Sequence, residues 1–155
     1  MNILIILGVF LAMEAVTWAT HKYVMHGFLW VLHKDHHDHR LHESWWEKND
    51  AFFIIFAIPS MILFYLGTVS GVPYCWQIAT GITLYGAAYF FVHDIFIHQR
   101  LKWLRNSDNV YFKALRRGHK MHHKHIDKED GECFGMLMVP FKYFQQERKA
   151  KQASS

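Results

Sequence analysis

Three long apolar blocks, separated by polar stretches crowded with histidine, set the pattern of this chain. "ILIILGVFLAMEAVTWAT" (residues 3–20), "AFFIIFAIPSMILFYLGTVSG" (51–71) and "YCWQIATGITLYGAAYFFV" (74–92) each reach the roughly 17–25 apolar residues a helix needs to cross a bilayer. Three transmembrane helices are predicted. The first should run on past the membrane surface and carry His21 and His26 beyond Thr20; if it continues through Gly27, His26, His33, His36 and His37 face one way, and Gly27 leaves that continuity open. Asn49 or Asp50 is the expected N-cap of the second span, Pro59 should kink it, and Gly67, Gly71 and Pro73 mark the turn that follows.

Beyond the third span, "QRLKWLRNSDNVYFKALRRG" (99–118) mixes Leu101, Trp103, Leu104, Val110, Phe112 and Leu115 with basic residues, which predicts helices lying along the membrane interface around a turn at "NSDN". "CFGMLMVPF" (133–141) is too short to span and reads as packed into the interface or as a wall of a substrate site. Trp18, Trp30, Trp45, Trp46 and Trp103 fall near expected span ends, where an interfacial aromatic belt forms. Residues 1–147 read as a single membrane-embedded domain and 148–155 as a polar tail. The expected fold class is all-α: an integral membrane helical bundle of about three to four transmembrane helices with a His-rich metal site at its cytoplasmic face.

Charge supplies that face. All 17 Lys and Arg lie in residues 21–50 or 98–155, so three spans place both basic regions, and every histidine cluster, on the side the positive-inside rule makes cytoplasmic. The first apolar block has no basic residue ahead of it and no small-residue cleavage site after it, and so reads as a retained anchor. A net charge of +4 comes with no nucleic-acid recognition motif, and anionic lipid headgroups are partner enough for these cations. Cys75 and Cys133 are single and far apart, without the C-x2-C spacing of a zinc site.

The chemistry lies in the histidines. "HKYVMH" (21–26) and "HDIFIH" (93–98) are H-x4-H, while "HKDHH" (33–37) and "HKMHH" (119–123) are H-x2-H-H, so the same order occurs twice; ten of the 13 histidines fall in these cassettes. On a helix His119, His122 and His123 share one face, where a metal can be gripped. The H-x4-H pairs lie about 140° apart on an ideal α-helix, poor for chelating one ion, and suit a helix flanking a dinuclear centre or a distorted helix end. One metal rarely takes more than about six ligands, so ten imidazoles imply two metals. Imidazole suits Zn, Cu, Fe and Ni alike; H-E-x-x-H and the E-x-x-H pairs of soluble di-iron bundles are both absent.

The double cassette order, with "MEAVTWATHKYVMHG", "YGAAYFFVHDIFIHQR" and "HKMHHK" followed by "DKEDGECFGMLMVP", resembles the bacterial beta-carotene hydroxylases of the fatty acid hydroxylase superfamily over roughly residues 13–140. The resemblance implies a non-haem di-iron monooxygenase. Its iron ligands are His21, His26, His33, His36, His37, His93, His98, His119, His122 and His123, its co-substrate is O2, and an external electron donor such as ferredoxin serves it. The implied reaction hydroxylates ring carbon 3 of beta-carotene, via beta-cryptoxanthin, to zeaxanthin, in a bacterial cytoplasmic membrane. One departure stands out: "DHRLHESWWEKND" (38–50) has His39 where the family has proline and Trp46 where it has Phe, with a longer insert. His39 and His42 are accordingly not assigned as ligands, and substrate preference is less fixed than iron binding. A hydroxylase of another lipid, sterol or fatty acyl, is the alternative; a metal transporter or sensor is a weaker one, because a transporter needs polar groups at the bilayer midplane. Neither a Gly-rich nucleotide fingerprint nor a four-cysteine cluster motif supplies electrons from within.

Supporting residues follow from position. Glu14, the one acidic residue well inside an apolar block, lies seven residues before His21 and reads either as an acceptor for a ligand imidazole N–H or as the partner of a polar group on another span. Asp94, beside His93, is a second such acceptor or an interfacial, solvated group. Tyr85 and Tyr89 continue the face of His93 at i, i+4, i+8 and are candidates for a substrate channel, or for plain helix packing.

Overall fold

An apolar stretch in which every backbone polar group must be satisfied internally folds as helix, and each of the three blocks does so. The computed structural model describes residues 2–38, 40, 45–103, 106–125, 127–129 and 131–153; His39, His42 and Leu104 lie outside them. Among the described residues there is helix and loop and no strand. Helix α1 (Ile3–Ala19) passes directly into a π-helical stretch, Thr20–Phe28, that breaks at Gly27 (φ −106°, ψ −122°). Helix α2 (Trp30–His37) follows the break. Helix α3 (Ala51–Val69) runs unbroken through Pro59, and α4 (Cys75–Phe90) ends in a second π-helical stretch, Phe91–Ile97. Three helical segments, Ile3–Phe28, Lys48–Val69 and Cys75–Ile97, are long and apolar enough to cross a membrane.

α4 packs against both α1 and α3. The α1–α4 contact is close because Gly81 has no side chain: a Cβ there meets Val9 at 2.7 Å and the Ile6 carbonyl at 2.9 Å. The connection to α4 turns through two left-handed residues, Gly71 (φ 64°) and Tyr74 (φ 65°). Outside the spans, α5 (Val110–His122) is capped by Asn109, whose side chain accepts from the Tyr111 and Phe112 amides at 2.9 and 3.3 Å. Its partner α6 (Phe141–Ala153) packs along it, and the helix covers part of the stretch expected as a tail.

Two expectations give way. Among the described residues of 99–118, only those from Val110 onward are helical. Asp50 stands at the N-cap of α3 as expected, but without the side-chain bond to that helix that a cap makes. Instead Glu47 and Asp50 form a reciprocal capping box around a single 3-10 turn, Lys48–Asp50, which frees the Asn49 side chain for the site below.

Candidate metal centre

The H-x4-H cassettes work because they are not on α-helix. The first falls within a π-helical stretch and the second runs from inside the other to its C-cap, His98; hydrogen bonds there close i→i+5 and residues five apart come to one side. The His98 amide donates to the His93 carbonyl at 2.9 Å, one such bond between the two histidines of a cassette. The 140° separation expected of an ideal α-helix is thereby removed, and the distorted helix end is the form the chain takes.

Nine of the ten cassette histidines then gather into two groups of ring nitrogens, each within 4.8 Å of one another: His21, His26, His33, His37 and His122 in the first, and His36, His93, His98 and His119 in the second. His123 adjoins the second, its Nε2 2.8 Å from that of His119, while its ring stacks on His37 at 4.5 Å. The doubled sequence order becomes a crossed arrangement. Each group takes one H-x4-H pair and the i, i+4 pair of one H-x2-H-H cassette (His33 with His37, His119 with His123). Each then takes the middle histidine of the other cassette, His122 for the first group and His36 for the second. The expectation that His119, His122 and His123 grip one ion together is corrected by this: α5 straddles both groups, and so does α2.

The outward nitrogens explain what the inward ones are for. Nδ1–H of His21, His26, His37 and His122 donates to the carbonyls of Phe134 (3.1 Å), Lys128 (3.1 Å), His125 (2.9 Å) and Glu132 (2.9 Å). His33 donates to Asn49 Oδ1 (2.7 Å), His36 to Glu47 (2.6 Å) and His93 to Asp94 (3.0 Å). These partners only accept, so the proton sits on Nδ1, and in a neutral imidazole Nε2 is a bare lone pair. Yet the Nε2 atoms face one another: His26 and His37 lie 3.3 and 3.1 Å from His122, His21 lies 3.0 Å from His33, and His36 lies 3.0 Å from His93. Protonating them is opposed. Burial, then the neighbouring imidazoles, holds His36 and His119 well below the ordinary imidazole range and His122 down at about 3; His33 is likewise held low by burial and by His37. Neutral lone pairs packed together without protons are repulsive unless a cation sits between them. Cis ligands at about 2.0–2.1 Å from one ion stand about 2.9–3.4 Å apart, close to the spacing here. The residues fit a metal pair.

Of the supporting residues, Asp94 meets His93 as an acceptor. Of the two readings of Glu14, the acceptor for a ligand imidazole is corrected and the partner of a polar group on another span holds: its carboxylate accepts from the Tyr85 hydroxyl (2.6 Å) and from the amides of Met136 (2.9 Å), Leu137 (3.0 Å) and Met138 (2.8 Å). Glu14 instead ties α1 to the "CFGMLMVPF" loop that supplies Phe134 to His21. Tyr85 and Tyr89 line a cavity of about 290 Å³ between α1, α3 and α4, together with Met13, Thr17, Phe52 and Asn49. The cavity adjoins the histidines: the Tyr89 ring is 5.0 Å from His93 and the Phe52 ring 6.4 Å from His33.

Sequence reasoning missed Glu47, Asn49 and Arg100. Arg100 reaches Asp50 (2.9 Å), Asp94 (3.2 Å) and Glu47 (3.5 Å). The polar cluster E-K-N-D just before an apolar span was the one available signal, and it was read as capping alone. The four backbone carbonyls carry no sequence signal, since any residue offers one.

Three helices long and apolar enough to cross a membrane, with two buried histidine groups built to take cations at their ends, define a membrane-type metalloprotein. The Fatty acid hydroxylase family model matches residues 6–144, and the chain belongs to that family. It is 39% identical over 139 residues to a beta-carotene hydroxylase of Pantoea ananas, covering 90% of this chain and 78% of that protein. It is 36% identical over 138 residues to one from Paracoccus sp. (strain PC1), covering 88% and 83%. It is 38% identical to a chloroplastic beta-carotene 3-hydroxylase of Haematococcus lacustris, of which it covers 44%. No solved structure matches the chain.

Proposed function

We propose that this chain is a carotenoid beta-ring 3-hydroxylase, converting beta-carotene via beta-cryptoxanthin to zeaxanthin. The observation that carries the reading is the placement of two histidine groups against an apolar cavity between spans, supported by relatives named beta-carotene hydroxylase. The cations are two irons, held by His21, His26, His33, His37 and His122 on one side and by His36, His93, His98, His119 and His123 on the other. Bound there, the iron pair supplies activation of O2 and insertion of one oxygen atom into a C–H bond. The balance is one C–H, O2, two electrons and two protons giving one alcohol and one water. The electrons come from a separate electron-transfer protein such as ferredoxin. The basic residues orient the histidine face toward the cytoplasm of a bacterial membrane.

The protein's own part is to bind, orient and exclude. Phe52, Tyr85 and Tyr89 give the ring end apolar and aromatic walls. Ligand pockets run about 300–1,000 Å³, so a cavity of about 290 Å³ takes one ring and leaves the long polyene outside. Three lining residues, Ala57, Thr83 and Gly86, are small and exposed where α3 meets α4, and the polyene leaves there into lipid. No atom lies within 4 Å of a Cβ at Gly86, so Gly86→Phe keeps the helix and fills the exit. Conversion should fall on the order of 10- to 100-fold with unchanged protein level and iron content, read by pigment chromatography beside an iron assay.

The reading itself is tested in beta-carotene-producing cells that also supply a reductase system. Appearance of cryptoxanthin and then zeaxanthin is the expected result. An iron-loaded, membrane-inserted protein that leaves beta-carotene untouched assigns the chain to another lipid.

A further inference from the structure

The crossed arrangement makes the two histidine groups near-counterparts, yet what stands behind them differs. In the first group, every acceptor named above is uncharged: the carbonyls of Phe134, Lys128, His125 and Glu132, and the Asn49 amide. In the second, His36 and His93 donate to carboxylates, Glu47 and Asp94. These counterpart positions are the informative ones, because His36 and His122 are the histidines each cassette contributes across the site. One is backed by a charge and the other by a backbone oxygen. Asp50 adds a third carboxylate, and Arg100 binds all three. Glu47 and Asp50 alone already outnumber the one guanidinium, so negative charge is in excess on the second side, where the side chains of Arg100 and Asp94 are at 10% exposure or less.

A carboxylate accepting the outer N–H of an imidazole raises the basicity of the inner nitrogen more than a neutral carbonyl does, and such partners typically alter metal affinity 10- to 100-fold. Low exposure keeps solvent from screening that difference. We propose that the two groups are unequal metal sites. The site of His36, His93, His98 and His119 fills first, and Glu47, Asp94 and Arg100 are the positioning residues that make it so. The inference rests on the metal-centre reading above, and goes beyond it by ranking the two sites.

The test is titration of the full-length, metal-free protein in detergent with Co2+, followed by its visible absorption, which reports each imidazole site as it fills. Two equivalents should bind in two phases with affinities at least about tenfold apart. Glu47→Gln should weaken the tighter phase about 10- to 100-fold and leave the weaker one in place. Asn49→Asp, which puts a carboxylate behind His33, should act on the weaker phase alone and tighten it. Two equivalents binding in one phase overturn the inequality while leaving the metal centre standing, as does a Glu47→Gln effect shared by both phases. No binding of Co2+ at all by folded protein removes the metal-centre reading and this inference with it.

Discussion

Changing His122 to alanine is expected to abolish hydroxylation. The side chain is fully buried, its Nε2 faces both His26 and His37, and its Nδ1 is fixed on the Glu132 carbonyl. Altering a ligand's outer partner costs about 10- to 100-fold in metal affinity or activity; removing a ligand placed between two others should exceed the upper figure. Alanine also leaves a space lined by lone pairs, so the cation of the first group loses its anchor on α5 altogether. Conversion of beta-carotene more than about 100-fold below wild type, with bound iron reduced, is the expected outcome. The exposed change Lys120→Ala on the same helix should leave both unchanged. Full conversion by His122→Ala refutes the assignment of this residue.

Removing the Glu14 carboxylate should produce the largest loss of stability. Glu14→Ala leaves three backbone amides and a tyrosine hydroxyl without their acceptor, in a place where Tyr85 and Met136 are almost wholly buried. An unsatisfied buried donor costs about 1–3 kcal/mol. The four share one anchor and relax together, so the expected loss is about 3–5 kcal/mol. The effect should also reach the histidines: the same loop presents Phe134 to His21 and Glu132 to His122. Thermal unfolding in detergent, with iron content measured below the transition, checks both. Tyr85→Phe, which removes one partner only, should cost far less, and equal stability of Glu14→Ala and wild type contradicts the clamp.

The spans were legible because their signal is local: an apolar run of sufficient length needs no knowledge of the rest of the chain. Spacing within each cassette singled out the ten histidines for the same reason, and nine of them gather in the two groups. Their partition was not legible. Assigning His36 and His37, neighbours in sequence, to different groups requires knowing that the histidines of α2 meet those at the end of α5, a tertiary fact. The distorted helix end was one of two forms that the H-x4-H spacing left open, and the π-helical stretches are that form. Glu14 was singled out correctly as a buried carboxylate with work to do, but its partners are amides more than a hundred positions away in sequence, beyond any pattern. Asn49 shows the converse error: a residue with a strong local preference for capping was taken up by His33, while Asp50 keeps a capping role and also binds Arg100.

The most direct test of the central claim, that the four cassettes build one two-metal centre, is the iron content of the intact chain purified without oxygen and without chelators, counted per polypeptide. Two irons per chain are expected, with fewer in His122→Ala. A folded, membrane-derived protein that hydroxylates beta-carotene with one iron or none contradicts it.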